Sequence, residues 1–143
     1  MSDHLKSDKF SLIPREGDLV YGRINKVEDR FARVDILAIE ERPLQGNTHF
    51  TGIIFKENVR DFDKDAIEIH KCFAPNDIIL ARVKQEAGGQ GASVLLQTLE
   101  DNLGVKYAWS QQSGQLMVPR SWTEFQCVIT KKKEKRKVAK VEE

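Results

Sequence analysis

The densest chemistry in this sequence is TKKKEKRKVAK, Thr130 to Lys140, where Lys131, Lys132, Lys133, Lys135, Arg136, Lys137 and Lys140 crowd into one segment. Clustered cations attract phosphates through counterion release without reading base sequence. The same run serves equally well as a lysine-protected strand edge or a nuclear-localisation-like patch, and all three readings stand at this level. Other reactive residue types are dispersed. Cys72 and Cys127 have no Cys-x2-Cys partner, and neither a His-Glu-x2-His motif nor a second ligand at metal-binding spacing occurs. Two free thiols in a reducing compartment is the expectation, with no metal. His4, His49 and His70 are scattered and read as surface or loop residues. Neither a phosphate-cradling Gly-x4-Gly-Lys-Ser/Thr nor a Gly-x-Ser-x-Gly elbow is found. The glycine-rich EAGGQGAS, Glu86 to Ser93, lies between two strand-like runs with no helix pattern after it, so it reads as a hairpin loop rather than a nucleotide site. The acidic pairs Glu40/Glu41 and Asp63/Asp65 fall in apparent loops without accompanying ligands and read as solvated charge. The chain is therefore expected to be no enzyme, with no catalytic residue and no cofactor.

Something must position the basic run, and 143 residues suffice for one medium domain or a small barrel with an appendage. Apolar residues make up 40% and charged residues 31%, an ordinary soluble composition, and no apolar run approaches the roughly 18 residues of a membrane span. No secretory signal is visible. A formal charge of +1 gives the whole molecule little pull on a polyanion, so charge distribution has to carry any such argument.

Periodicity predicts five short strands. GDLVYGRINKV sets Val20, Gly22 and Ile24 against Tyr21, Arg23 and Asn25, the alternation of a half-buried strand. FARVDILAI follows at hairpin distance with Ala32, Val34, Ile36 and Ala38 on one face. FTGIIF is a third strand, after the polar loop EERPLQGNTH. The fourth, NDIILARVKQE, turns Ile79, Ala81 and Val83 inward, and the fifth, ASVLLQTL, does the same with Val94, Leu96 and Thr98. Between the third and fourth runs a long connection is expected to hold a helical turn or two, although the spacing of Ile67, Ile69 and Phe73 fits neither period. Five strands with one helical insertion describe an all-β chain with an OB-fold barrel. Three parts are expected: a polar tail over 1–16, the barrel over 17–100 and a C-terminal β unit over 101–143. In that unit LGVKYAW and GQLMVPRSW flank a QQSG turn, and EFQCVIT and RKVAKVEE are expected to pair around KKKEK. About forty residues hold no core alone without a metal or disulfide. The unit should therefore lean on the barrel or on another protein, with Trp109 and Trp122 forming a mini-core or docking surface.

Motif order adds a resemblance. Gly17, Asp18, Val20, Gly22 and Ile24, then Gly52, Ile53 and Ile54, then Asn76, Asp77, Ile79 and Val83, follow the pattern of the S-one family of RNA-binding barrels. Read with KENVR, MVPRSW and RKVAKV, the stretch from Ile13 to Val141 resembles the Csl-four type of cap subunit of the eukaryotic RNA exosome, exosome component one. Members carry a further N-terminal β-domain, where this chain has a short polar tail, implying a trimmed or shortened form. Archaeal members end in a zinc ribbon, of which only Cys127 remains here, implying a metal-free remnant.

The resemblance implies an RNA platform. S-one domains offer an aromatic on the second strand and a histidine on the third, positions held here by Arg33 and Phe55. With Ile54 inward, alternation sends Phe55 outward, either to stack on a base or to be covered by the chain's own insertion or a partner subunit. Arg33 adds a planar cation that stacks as well as pairs. Arg23, Arg82 and Lys84 share outward parity, and Lys56 follows at the rim. Taken whole, the resemblance implies a non-catalytic subunit on a ring of RNase-PH-like proteins beside other cap subunits. It would stabilise the complex and guide single-stranded RNA toward a channel for 3'-5' processing and degradation, in nucleus, nucleolus and cytoplasm, with no membrane partner. The competing expectations are an independent, sequence-tolerant RNA binder and a pure protein scaffold.

Overall fold

Alternation of apolar and polar residues, period two, dictates where this chain buries itself. The computed structural model describes residues 13–44, 49–89 and 91–140. Most of the expected 1–16 tail, with His4, and part of the polar loop after Pro43 lie outside them. Among the described residues, strands β1 (Leu19–Val27), β2 (Phe31–Ile39), β3 (Arg42–Pro43), β4 (Thr51–Phe55), β5 (Ile78–Gln85) and β6 (Val94–Gln97) precede β7 (Gly104–Tyr107), β8 (Met117–Pro119), β9 (Glu124–Cys127) and β10 (Lys133–Lys135). The order β1-β2-β4-β6-β5 closes through a β1–β5 pairing, with β4 and β6 parallel and the other barrel neighbours antiparallel. That is an OB-fold barrel, closed so that no edge is left open.

Val20, Ile24, Ala32, Val34, Ile54, Ile79, Ala81, Val94, Leu96 and Thr98 all point inward and are fully buried. Thr98 is tolerated there because its hydroxyl donates to the Val59 carbonyl at 2.7 Å. One expected position shifts. Tyr21 pairs with Ala38 but Gly22 with Ile36, so Leu37 is a bulge, and beyond it Ile39 rather than Ala38 takes the core position.

The connection from Lys56 to Asp77 forms no α-helix. It makes three 3-10 turns, Lys56–Asn58, Lys64–Ala66 and Ile69–Lys71. These short turns suit the irregular spacing of Ile67, Ile69 and Phe73, each of which is buried in the barrel core.

The C-terminal segment does lean on the barrel. β7 pairs with β5, extending the barrel sheet past Glu100. Trp109 bridges Leu116 across the QQSG turn, and β8, β9 and β10 form a small antiparallel sheet. Met117, Phe125, Cys127 and Val138 join the same apolar core as the barrel residues. The second hairpin differs from expectation. Lys133–Lys135 is itself the strand that pairs with Glu124–Gln126. Arg136 onward instead returns to the barrel, where the Lys137 amide donates to the Cys72 carbonyl and Val138 bridges Val105.

Candidate nucleic-acid interface

The outer wall of β1, β2 and β4 follows directly from this alternation. Because Ala32, Val34 and Ile54 fill the barrel, Phe31, Arg33 and Phe55 face out. Register places Phe31 opposite Phe55 and Arg33 opposite Ile53, with Lys26 opposite Arg33 on the other side and Leu95 beside Ile53. The two phenylalanine rings meet edge to face, their centroids 6.2 Å apart. Arg33 is exposed, and its side chain makes no hydrogen bond or ion pair among the described residues. Two aromatic rings beside an uncommitted guanidinium can stack on bases and contact a phosphate at once. Phe31 was not among the expected residues. It shares its parity with Arg33, and that alternation was the available signal.

The other expected residues divide. Arg23 stands near this wall but is drawn to Asp35 at 3.5 Å. Lys56 follows Phe55 and is half-buried, its amide donating to the Arg30 carbonyl. Lys84 donates to Oδ1 of Asn58, in the first 3-10 turn, at 3.2 Å. Arg82 is committed elsewhere. It grips both Glu100 carboxylate oxygens, at 2.7 and 3.1 Å, and donates to the Gly17 carbonyl. That hydrogen bonding raises the Arg82 pKa and lowers that of Glu100.

The basic run also separates. Lys131, Lys132, Lys133 and Lys135 are exposed. Arg136 is not part of that cationic surface, for it is buried. Its Nε donates to Asp77 Oδ2 at 2.6 Å and its Nη2 to Glu134 Oε1 at 3.0 Å. Burial pushes the Asp77 carboxyl up to about 6, with Arg136 pulling the other way, and Asp77 Oδ1 has no hydrogen-bond partner among the described residues. Lys137 is half-buried and donates to the carbonyls of Glu100 and Leu103. Burial brings its ammonium down to about 8. Trp109 is half-buried, whereas Trp122 is 66% exposed.

Two turns of the C-terminal unit face each other with matching spacing, Ser110-x2-Ser113 and Cys127-x2-Thr130. Ser113 Oγ lies 3.5 Å from Cys127 Sγ, and the Thr130 amide donates to the same sulfur. The amides of Gln112 and Ser113 donate to Ser110 Oγ. Paired knuckles with this spacing hold zinc when all four positions are thiolates. Three hydroxyls and one thiol do not fit zinc, so hydrogen bonds do the cross-linking that metal would do. Hydrogen bonds from Ser113 and Thr130 lower the Cys127 thiol to about 6.

Comparison with known proteins places the chain by its sequence. A family model described as Exosome component EXOSC1/CSL4 matches residues 43–85. The chain is 43% identical over 138 residues to Exosome complex component CSL4 of Homo sapiens, covering 96% of this chain and 69% of that protein. It is 42% identical to the Mus musculus counterpart with the same coverage. A solved structure described as a putative exosome complex RNA-binding protein superposes with a TM-score of 0.47 at 23% identity, over 68% of this chain and 50% of that one. On the sequence identity and its extent, the chain belongs to the EXOSC1/CSL4 family.

Proposed function

We propose that this chain is a non-catalytic cap subunit of an RNA exosome, docking on RNase-PH-like ring proteins beside other cap subunits and helping to lead single-stranded RNA toward the channel for 3'-5' processing and degradation. The observation that carries the reading is 43% identity, across nearly the whole chain, to a protein named as an exosome complex component. The outer wall supports the RNA half of it. Phe31, Phe55 and Arg33 combine stacking surface and charge without a donor pattern that would select a base. Nucleus, nucleolus and cytoplasm are the compartments where such a subunit would work.

The test is purification of the tagged chain from its own cells at moderate salt, with mass spectrometry of what accompanies it. Ring and cap proteins in near-equal amounts are expected. Recovery alone, with micromolar or tighter binding of the isolated chain to single-stranded RNA, would instead favour an independent RNA binder. Assembly with no RNA crosslinks would leave a pure scaffold.

A further inference from the structure

A cleft of about 570 Å³ opens between the 56–77 connection and the C-terminal segment. Phe62 and Trp122 both line it, and they are 60% and 66% exposed, unusual for rings this large. Each ring already carries a cation. The Arg60 guanidinium lies 5.1 Å from the Phe62 centroid, and the Lys140 ammonium lies 3.3 Å from that of Trp122. Lys135 adds positive charge at the rim, whereas Lys71 is ion-paired with Glu68 at 3.1 Å and Lys140 with Asp101 at 3.4 Å. Arg136, at the back, is balanced by Asp77 and Glu134.

A mostly apolar cleft with a cationic rim selects its occupant by complementarity. A stacked nucleobase needs a bare ring face, and an ammonium 3.3 Å from Trp122 takes one of them. An apolar side chain flanked by carboxylates fits better. It fills the cleft between the rings while the carboxylates meet Arg60 and Lys135, and tryptophan is enriched among interface anchors. We propose that this cleft docks an acidic, extended segment of a partner protein, with an aromatic or leucine anchor set between carboxylates. The cleft and the Phe31–Phe55 wall are built from different side chains, so failure here leaves the RNA reading untouched.

The experiment is an NMR titration of the full 15N-labelled chain with two probes. One is a synthetic peptide of about a dozen residues bearing one Phe and one Leu among Asp and Glu, alongside its Asn/Gln counterpart, and the other is oligouridylate of similar length. The acidic peptide should move the Trp122 indole N–H and leave that of Trp109 in place. Trp122→Ala, Phe62→Ala and Lys135→Glu, all at exposed positions, should each weaken it about tenfold. Three results would overturn the proposal. They are no Trp122 shift at millimolar acidic peptide, equal binding of the Asn/Gln counterpart, or movement of Trp122 by oligouridylate at lower concentration, which would make the cleft a nucleic-acid site.

Discussion

Phe31 and Phe55 meet across β2 and β4 on the outside of the barrel, their planes inclined by 61°. An edge-to-face pair on a solvated wall stabilises the fold only modestly, by about 0.5–1.5 kcal/mol beyond burial. A double-mutant cycle of Phe31→Ala and Phe55→Ala, read by urea unfolding, should return a coupling within that range. A coupling above about 2 kcal/mol would mark the pair as structural rather than as a contact surface.

The Asp77–Arg136 pair should behave differently because both side chains are buried. Arg136→Met leaves the Asp77 carboxylate without its cation and should destabilise the chain by about 3–5 kcal/mol. Asp77→Asn with Arg136→Met should recover part of the loss. Urea midpoints of the two single variants and the double variant check this.

Two pH windows follow from the shifted groups. Asp77 holds its proton up to about 6 in the folded chain, against 3.8 as the ordinary value, so folding takes up a proton between these values. Stability should fall as pH rises from about 4 to about 6, by on the order of 2–3 kcal/mol. Lys137 loses its proton near 8 when folded, against 10.5 ordinarily, so folding releases a proton in that range and stability should climb as pH rises through it. Urea midpoints against pH check both slopes. Asp77→Asn should flatten the first and Lys137→Met the second.

Gly104 takes φ +135°, and a Cβ there would press on the Lys137 carbonyl, where the C-terminal segment crosses β7. Gly104→Ala therefore combines backbone strain with a clash against main chain and should destabilise the fold by about 2 kcal/mol or more. Gly88→Ala, in open space on the β5–β6 loop, is the control and should change stability by less than about 0.5 kcal/mol.

The knuckle geometry makes a metal-binding prediction. Ser110→Cys, Ser113→Cys and Thr130→Cys together with native Cys127 should create a tetrahedral thiolate site that binds one zinc or cobalt ion and raises the unfolding temperature. Cobalt absorption reads the geometry. No tetrahedral spectrum would mean that the two turns do not oppose one another as described.

What was legible in the sequence is what local alternation controls. Val20, Ile24, Val34, Ile54, Ile79, Val83, Val94 and Leu96 announced their inward face because each strand is half-buried. The bulge at Leu37 was not legible, since only pairing with β1 reveals the skipped residue. Arg136 was hidden in a lysine run, and its burial is decided by Asp77, 59 residues away. Ser110, Ser113 and Thr130 were not legible as knuckle positions because hydroxyls stand where thiols would signal metal ligands. The Phe62–Trp122 cleft joins two segments that only the fold brings together.

RNA bearing 4-thiouridine, photocrosslinked to the reconstituted complex and mapped by mass spectrometry, reads the outer wall directly. Crosslinks should fall on Phe31 to Arg33 and Ile53 to Phe55. They should drop about tenfold or more in Arg33→Ala/Phe55→Ala, with assembly unchanged, as expected for stacking worth about 1–3 kcal/mol per base. Crosslinks that persist unchanged in that variant, or a variant that no longer assembles, would contradict a wall that faces RNA.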